Sequence, residues 1–335
     1  MKTYIPYSLI LAAASAGMAF GAETAYTSPV GYSTSSLSQG FNALGLTLQT
    51  PSLASGNFET ITSTAVTDTG VVYTPISGAT YILEITSGSV KGTVFEVLAS
   101  SISGSTITVN TVPATDLVAL GLSSADTYNL RIAPSLETIF TTVPLSSGGV
   151  LNAGLSATGA DVVWVPTGSG SYAKYFLHSG SLAFRLAGTT TPTPNVPIIY
   201  ADGMLVEKKG AAASSLTVSG ELKKGSTNST ISQGFNLLSA VAPVGLTLAN
   251  AGIEDDITAG LSATGADNVW IQQPNLSYVK YFRRTNGAWR TSTTAVDLTP
   301  AQVEAVVISS GFFIEKKSAG TVNLDLNVPT SYNSL

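Results

Sequence analysis

An eleven-residue stretch, Gly154-Leu-Ser-Ala-Thr-Gly-Ala-Asp161-Val-Val-Trp164, returns 106 residues later as Gly260-Leu-Ser-Ala-Thr-Gly-Ala-Asp267-Asn-Val-Trp270, with one change. Repetition at a fixed offset marks a duplicated folding unit, and it limits the fold more than any local motif does. Further blocks follow in the same order. Ser171-Tyr-Ala-Lys-Tyr-Phe176 recurs as Ser277-Tyr-Val-Lys-Tyr-Phe282, and Gly203-Met-Leu-Val-Glu-Lys-Lys209 as Gly311-Phe-Phe-Ile-Glu-Lys-Lys317. The offset drifts from 106 to 108, which places insertions in loops between the blocks. A third echo joins Ser38-Gln-Gly-Phe-Asn to Ser232-Gln-Gly-Phe-Asn, each preceding a Gly-Leu-Thr-Leu (45–48 and 245–248). The first repeat lacks this block. The N-terminal segment is therefore expected to supply it in space.

Lys2, the apolar run Ser8 to Ala19 and the small residues around Gly21 predict a signal peptide over residues 1–21 and an exported protein. No later segment approaches the roughly 20 uninterrupted apolar residues of a transmembrane helix. The chain has no cysteine, so neither disulfides nor thiolate metal sites contribute. Only 10% of residues are charged and the basic ones are scattered, which argues against a nucleic-acid partner.

Short β-branched and aromatic runs separated by Gly and Ser predict an all-β fold. Residues 22–135 read as an N-terminal β domain, with strands at Tyr81–Ile85, Gly92–Val97, Thr106–Val109 and Thr127–Ile132 and a helical turn capped by Thr115. Residues 136–225 and 226–335 read as two tandem β-sandwich-like repeats with short helical turns. Their strands are expected at Val162–Val165, Tyr172–Leu177, Leu182–Leu186 and Met204–Lys208, with Val244–Leu248 as a further strand in the second. Ser135 opens a short helix or turn, and Thr299-Pro-Ala-Gln302 has the capping threonine, leading proline and reciprocal Gln of a helix over 300–306.

The succession Gly-Phe-Asn-Leu-Leu (234–238), Ala-Asp-Asn-Val-Trp (266–270), Tyr-Val-Lys-Tyr-Phe (278–282), Gly-Ala-Trp-Arg (287–290) and Gly-Phe-Phe-Ile (311–314) resembles the β-rich repeat of an uncharacterised exported family of planctomycete- and verrucomicrobium-type bacteria. Pro-Val-Gly-Tyr (29–32), Ile-Thr-Ser-Gly-Ser-Val-Lys-Gly (85–92) and Leu-Glu-Thr-Ile-Phe (136–140) extend the likeness over most of the mature chain. Phe235 stands where that pattern usually has Trp. The resemblance implies no catalytic residues.

The single histidine, His178, ends a strand, and its counterpart in the second repeat lies near Arg284, so a Ser-His-Asp arrangement is not indicated. Glu254-Asp255-Asp256 reads as a solvated acidic loop rather than a cation site. Asp161 and Asp267 read as turn residues whose carboxylates accept backbone N–H groups. Glu207-Lys208-Lys209 and Glu315-Lys316-Lys317 read as charged protection of edge strands. Trp164 and Trp270 read as core. Tyr278, Tyr281, Trp289 and Arg290 form the candidate sugar-stacking platform, set against core packing of Trp289. No cofactor or metal site is expected. These readings point to an exported, non-enzymatic structural or interaction protein of the cell envelope or surface, with self-association or surface glycans as its partners; a carbohydrate-binding adhesin is the alternative.

Overall fold

The computed structural model describes residues 29–109, 115–167 and 170–334, so the expected signal peptide lies outside the described residues. The fold is all-β, built from antiparallel sheets with three short α-helices among the described residues. No helix there is long and apolar enough to cross a membrane.

The chain opens with β1 (Val30–Leu37) and β2 (Gly40–Gly45). It then builds a separate body from β3 (Ser52–Asn57), β4 (Thr60–Ile61), β5 (Ala65–Thr67), β6 (Thr80–Ile85), β7 (Val94–Leu98), β8 (Ile102–Ser103), β9 (Thr106–Thr108), α1 (Leu117–Leu120) and β10 (Thr127–Ile132). Two four-stranded sheets, β3-β10-β6-β7 and β4-β5-β9-β8, enclose a core that includes Phe58, Leu83, Ile85, Ile107 and Tyr128. The cap of α1 is Asp116 rather than Thr115: the Asp116 carboxylate accepts from Val118 and Ala119 N–H.

The first repeat continues with α2 (Leu136–Phe140), β11 (Val162–Pro166), β12 (Tyr172–His178), β13 (Ala183–Leu186), β14 (Gly203–Lys208) and β15 (Ser214–Glu221). The second contains β16 (Thr227–Ser239), β17 (Asn268–Gln272), β18 (Tyr278–Arg283), β19 (Trp289–Thr291), α3 (Pro300–Glu304) and β20 (Gly311–Leu326). Their sheets have matching orders, β13-β12-β11-β14-β2 and β19-β18-β17-β20-β16. Strand β2 thus fills the place that β16 occupies in the second copy, as the Ser-Gln-Gly-Phe-Asn echo implied: Phe41 pairs with Glu207 as Phe235 pairs with Glu315. The ribbon of β1 and β15 matches the far ends of β16 and β20. The sequence groups residues 30–49 with the N-terminal domain, but in space they belong to the first repeat. Residues between Thr50 and Ile132 are an insertion into it, and Thr50 Oγ1 donates to Ile132 O at 2.6 Å, closing the neck.

The echo has a physical cause. Gly40 and Gly234 adopt φ of 109° and 100°, a region open to glycine at no steric cost, and kink the strand. The following asparagine fixes the kink. Asn42 donates to Ser38, Gly40 and Val206 carbonyls and accepts from Ser38 N–H, and Asn236 repeats the pattern with Ser232, Gly234 and Ile314. Gln39 and Gln233 each donate to a lysine carbonyl, that of Lys209 or Lys317, at 3.1 Å.

Strands β14 and β20 are internal to their sheets, not edges, so Lys208 and Lys316 are not edge protection. Both point to the inner face and are buried. Val244–Leu248 is not a strand; only Thr247 makes a bridge, to Val307. The capping boxes at Ser135 and Thr299 are formed, the latter opening α3.

The repeats meet in a reciprocal contact. Gly203 lies against Leu238 and Gly311 against Leu44, the repeat counterpart of Leu238, while Gly45 lies against Ser239, its own counterpart. A Cβ on Gly311 would meet Leu44 N at 2.8 Å, so the backbones approach too closely for a side chain. Such mutual use of equivalent surfaces is the arrangement of an isologous dimer, here within one chain.

Candidate functional site

Alternation along β18 and β19 splits the expected platform between two faces. Tyr281 and Trp289 turn inward; Trp289 is 6% exposed and both rings pack in the core of the second repeat with Ile271, Val303 and Phe312. They offer no ring to a ligand on the outer face, because closing that core requires them. Tyr278, half-buried, faces outward against Phe313, with ring centroids 5.7 Å apart. Arg290 also faces outward but is already engaged: its Nε donates to Asp297 at 2.8 Å, and Arg284 reaches the same carboxylate at 3.2 Å. Desolvation raises the Asp297 pKa, but bonds from Arg290, Asn286 and Arg284 together outweigh it and hold the carboxyl below its ordinary range.

The outer faces instead carry a set of side chains present twice. Trp164 and Trp270, expected in the core, are half-buried there. Phe41 meets Trp164 edge-on with centroids 5.6 Å apart, and Phe235 meets Trp270 at 5.7 Å. Lys174 Nζ lies 3.9 Å above the Trp164 ring and Lys280 Nζ 4.2 Å above Trp270. Each indole N–H donates to a glutamate, Glu207 at 3.2 Å or Glu315 at 3.0 Å, which a lysine two residues on, Lys209 or Lys317, pairs in turn. A lysine over an indole is worth about 0.5–1 kcal/mol at an exposed site. Cross-strand pairing of this kind stabilises a sheet, yet Phe41 and Phe235 remain 42% and 49% exposed. Burial raises the Glu315 pKa, but the bonds from Lys317 and Trp270 outweigh it, and its carboxyl sits below the usual range. The sequence reading gave Phe41, Phe235, Lys174 and Tyr172, whose ring lies 6.4 Å from that of Trp164, no place on this face. The signal was available: all lie in the repeated blocks at outward parity with the tryptophans.

The candidate acids and bases are tied down. Asp161, wholly buried, accepts from Asn152 N–H, Lys209 N–H (both 2.7 Å) and Lys208 Nζ (2.5 Å). Asp267 accepts from Thr258 N–H at 2.8 Å and Lys317 N–H at 2.7 Å. These bonds reach 9 to 50 residues along the chain, so the aspartates are clasps between strands and not local turn residues. Lys316 instead donates to Ser318 and Ala319. His178 Nδ1 lies 3.2 Å from Gly180 and Ser181 N–H, organising a turn. In the acidic triplet, Asp256 accepts from Asp325 N–H and the Glu254 carbonyl accepts from Arg283. No group of three or more His, Asp or Glu suited to a metal ion occurs among the described residues.

The most faithfully repeated block contains an exposed loop. Leu155 and Leu261 are 79% and 75% exposed, whereas Gly154 and Gly260 are needed because a Cβ would strike the backbone of Ala160 or Ala266. No family model, no curated protein and no solved structure matches this chain.

Proposed function

We propose that the chain is an exported, non-enzymatic structural or interaction protein of the cell envelope or surface, of the β-rich repeat family that it resembles. The observation that carries this reading is the duplicated outer face, where Phe41-Trp164-Lys174 and Phe235-Trp270-Lys280 keep the same arrangement at the surface. Core packing does not require two partly exposed phenylalanines. A face presenting Lys beside Glu is also self-complementary in charge, which suits contact with a second copy. The engagement of Asp161, Asp267 and His178 in structural bonds supports a non-enzymatic role.

Light scattering after size exclusion of residues 22–335, at several concentrations, tests the reading. Concentration-dependent assemblies are expected, and Phe41→Ser with Phe235→Ser should abolish them. A concentration-independent monomer would refute self-association. The alternative, a carbohydrate-binding adhesin, is favoured by one feature, an uncharged cleft between the repeats.

A further inference from the structure

We propose that the cleft between the two repeats binds a short, neutral oligosaccharide, read by serine hydroxyls from both copies and the Gln273 side chain of the second. The inference rests on reading the chain as an interaction protein and names a ligand class for it.

The cleft has a volume of about 650 Å³, within the roughly 300–1,000 Å³ of small-ligand sites, and lies between two folding units, where such sites concentrate. One wall is β1 and the middle of β2; the other is the end of β17, the following hairpin and residues 305–312. No Asp, Glu, Lys, Arg or His lines it. Phosphates, nucleotides and acidic sugars would therefore enter without a counter-charge, at a desolvation cost that nothing in the wall offsets. Ser33, Ser35, Ser38, Ser309 and Gln273 line the cleft beside Ile271, Leu276 and the Tyr281 ring. Hydroxyls and amides alternating with apolar surface match a pyranose, with hydroxyl edges and C–H faces. Tyr281 thus belongs to a sugar site through the inner side of the sheet, not the outer platform.

Two comparisons within the molecule sharpen the choice. The groove at the corresponding place in the first repeat, with Tyr175 for Tyr281 and Asp202 for Ser310, has a volume of only about 190 Å³. Glu96 of the inserted body reaches into it, so that copy is narrowed and made acidic, while the second stays open and neutral. An extended peptide is disfavoured because the edge of β2 is already capped. The Gln272 side chain accepts from Ala43 N–H at 2.8 Å and donates to Phe41 O at 2.7 Å, occupying the groups that an added strand would use.

The test is titration calorimetry of residues 22–335 with maltotriose, cellotriose, mannotriose and N-acetylchitotriose, and with trigalacturonate as the charged control. Saturable binding of at least one neutral trisaccharide, and none of the charged one, is expected. Ser309 is exposed, so Ser309→Trp fills the cleft without disturbing the core and should weaken binding by tenfold or more; Gln273→Ala should weaken it less. Phe41→Ser with Phe235→Ser should leave it unchanged. Absence of binding by every neutral trisaccharide up to about 10 mM, an affinity floor near −3 kcal/mol, overturns the proposal. So does binding lost in the phenylalanine variant but kept in Ser309→Trp, which would move the glycan to the outer face. Light scattering on the same samples separates the two readings: assembly unaffected by Ser309→Trp leaves the interaction role standing even if the cleft is empty of sugar.

Discussion

The twin clasps Asp161 and Asp267 allow a comparison in which one protein contains its own control. Asp161→Asn keeps one acceptor for the two backbone N–H groups and strips Lys208 of its counter-charge. Lys208 is 1% exposed and would retain only the Val150 carbonyl. Leaving a buried charge unpaired costs about 3–5 kcal/mol. Asp267→Asn leaves one backbone donor unpaired, at about 1–3 kcal/mol, because Lys316 is satisfied by Ser318 and Ala319. Each substitution leaves one backbone N–H unpaired and only the first also strands a buried charge, so the first should destabilise its repeat by about 3–5 kcal/mol more than the second destabilises its own. Adding Lys208→Met to Asp161→Asn should recover most of that difference, since an apolar side chain needs no partner. Amide hydrogen exchange under native conditions reads each repeat separately, through Val163 and Val206 in one and Val269 and Ile314 in the other. Equal losses for the two substitutions, or no recovery with Lys208→Met, would refute the reasoning.

Further expectations concern the neck, the contact between repeats and pH. Replacing residues 52–130 by a short Gly-Ser turn, with Lys223→Met to remove the partner of Glu84, should leave both repeats folded, because Thr50 and Ile132 already touch; loss of the strand signal in circular dichroism would contradict this. Gly311→Ala should cost about 1–3 kcal/mol through overpacking against Leu44, whereas Gly31→Ala, with nothing within 4 Å of the new methyl, should be neutral or mildly stabilising in urea denaturation. Glu315 has a folded pKa below the ordinary value, so its contribution is present above about pH 4.3 and is lost as pH falls through the depressed value. Thermal melts should therefore show an acid decline that Glu315→Gln reduces.

Much of this architecture is legible in the residues. Ser-Gln-Gly-Phe-Asn announced a shared strand because its Ser, Gln, Gly and Asn have fixed tasks in the kink, and the capping residues of α3 are local devices. What escaped is set by distance along the chain. Lys208 reads as a surface charge until Asp161, 47 residues away, is seen to neutralise it. The pairing of β1 with β15 rests on serines and threonines, such as Thr34 with Thr217 at 2.9 Å, which carry no apolar pattern to announce a partner. The outward placing of Trp164 and Trp270 escaped for a related reason, whereas Trp289 packs in the core as its reading favoured. Repetition marks Trp164 and Trp270 as important but does not say to which face of the sheet they point.

The insertion within the first repeat bears on how the chain is assembled. Thr34 is synthesised 183 residues before Thr217, so β1 waits for its partner while most of the protein is still being made. The entropy lost on closing a loop grows with its length. A folded body whose two ends touch converts 82 of those 183 residues into a single rigid step, and the loop to be closed becomes shorter. The inserted domain would therefore act as a splint. Meanwhile a waiting strand that reads Val-Gly-Tyr-Ser-Thr-Ser-Ser-Leu offers little apolar surface for unwanted pairing. Its hydroxyl-rich sequence suits a strand that emerges long before its partner.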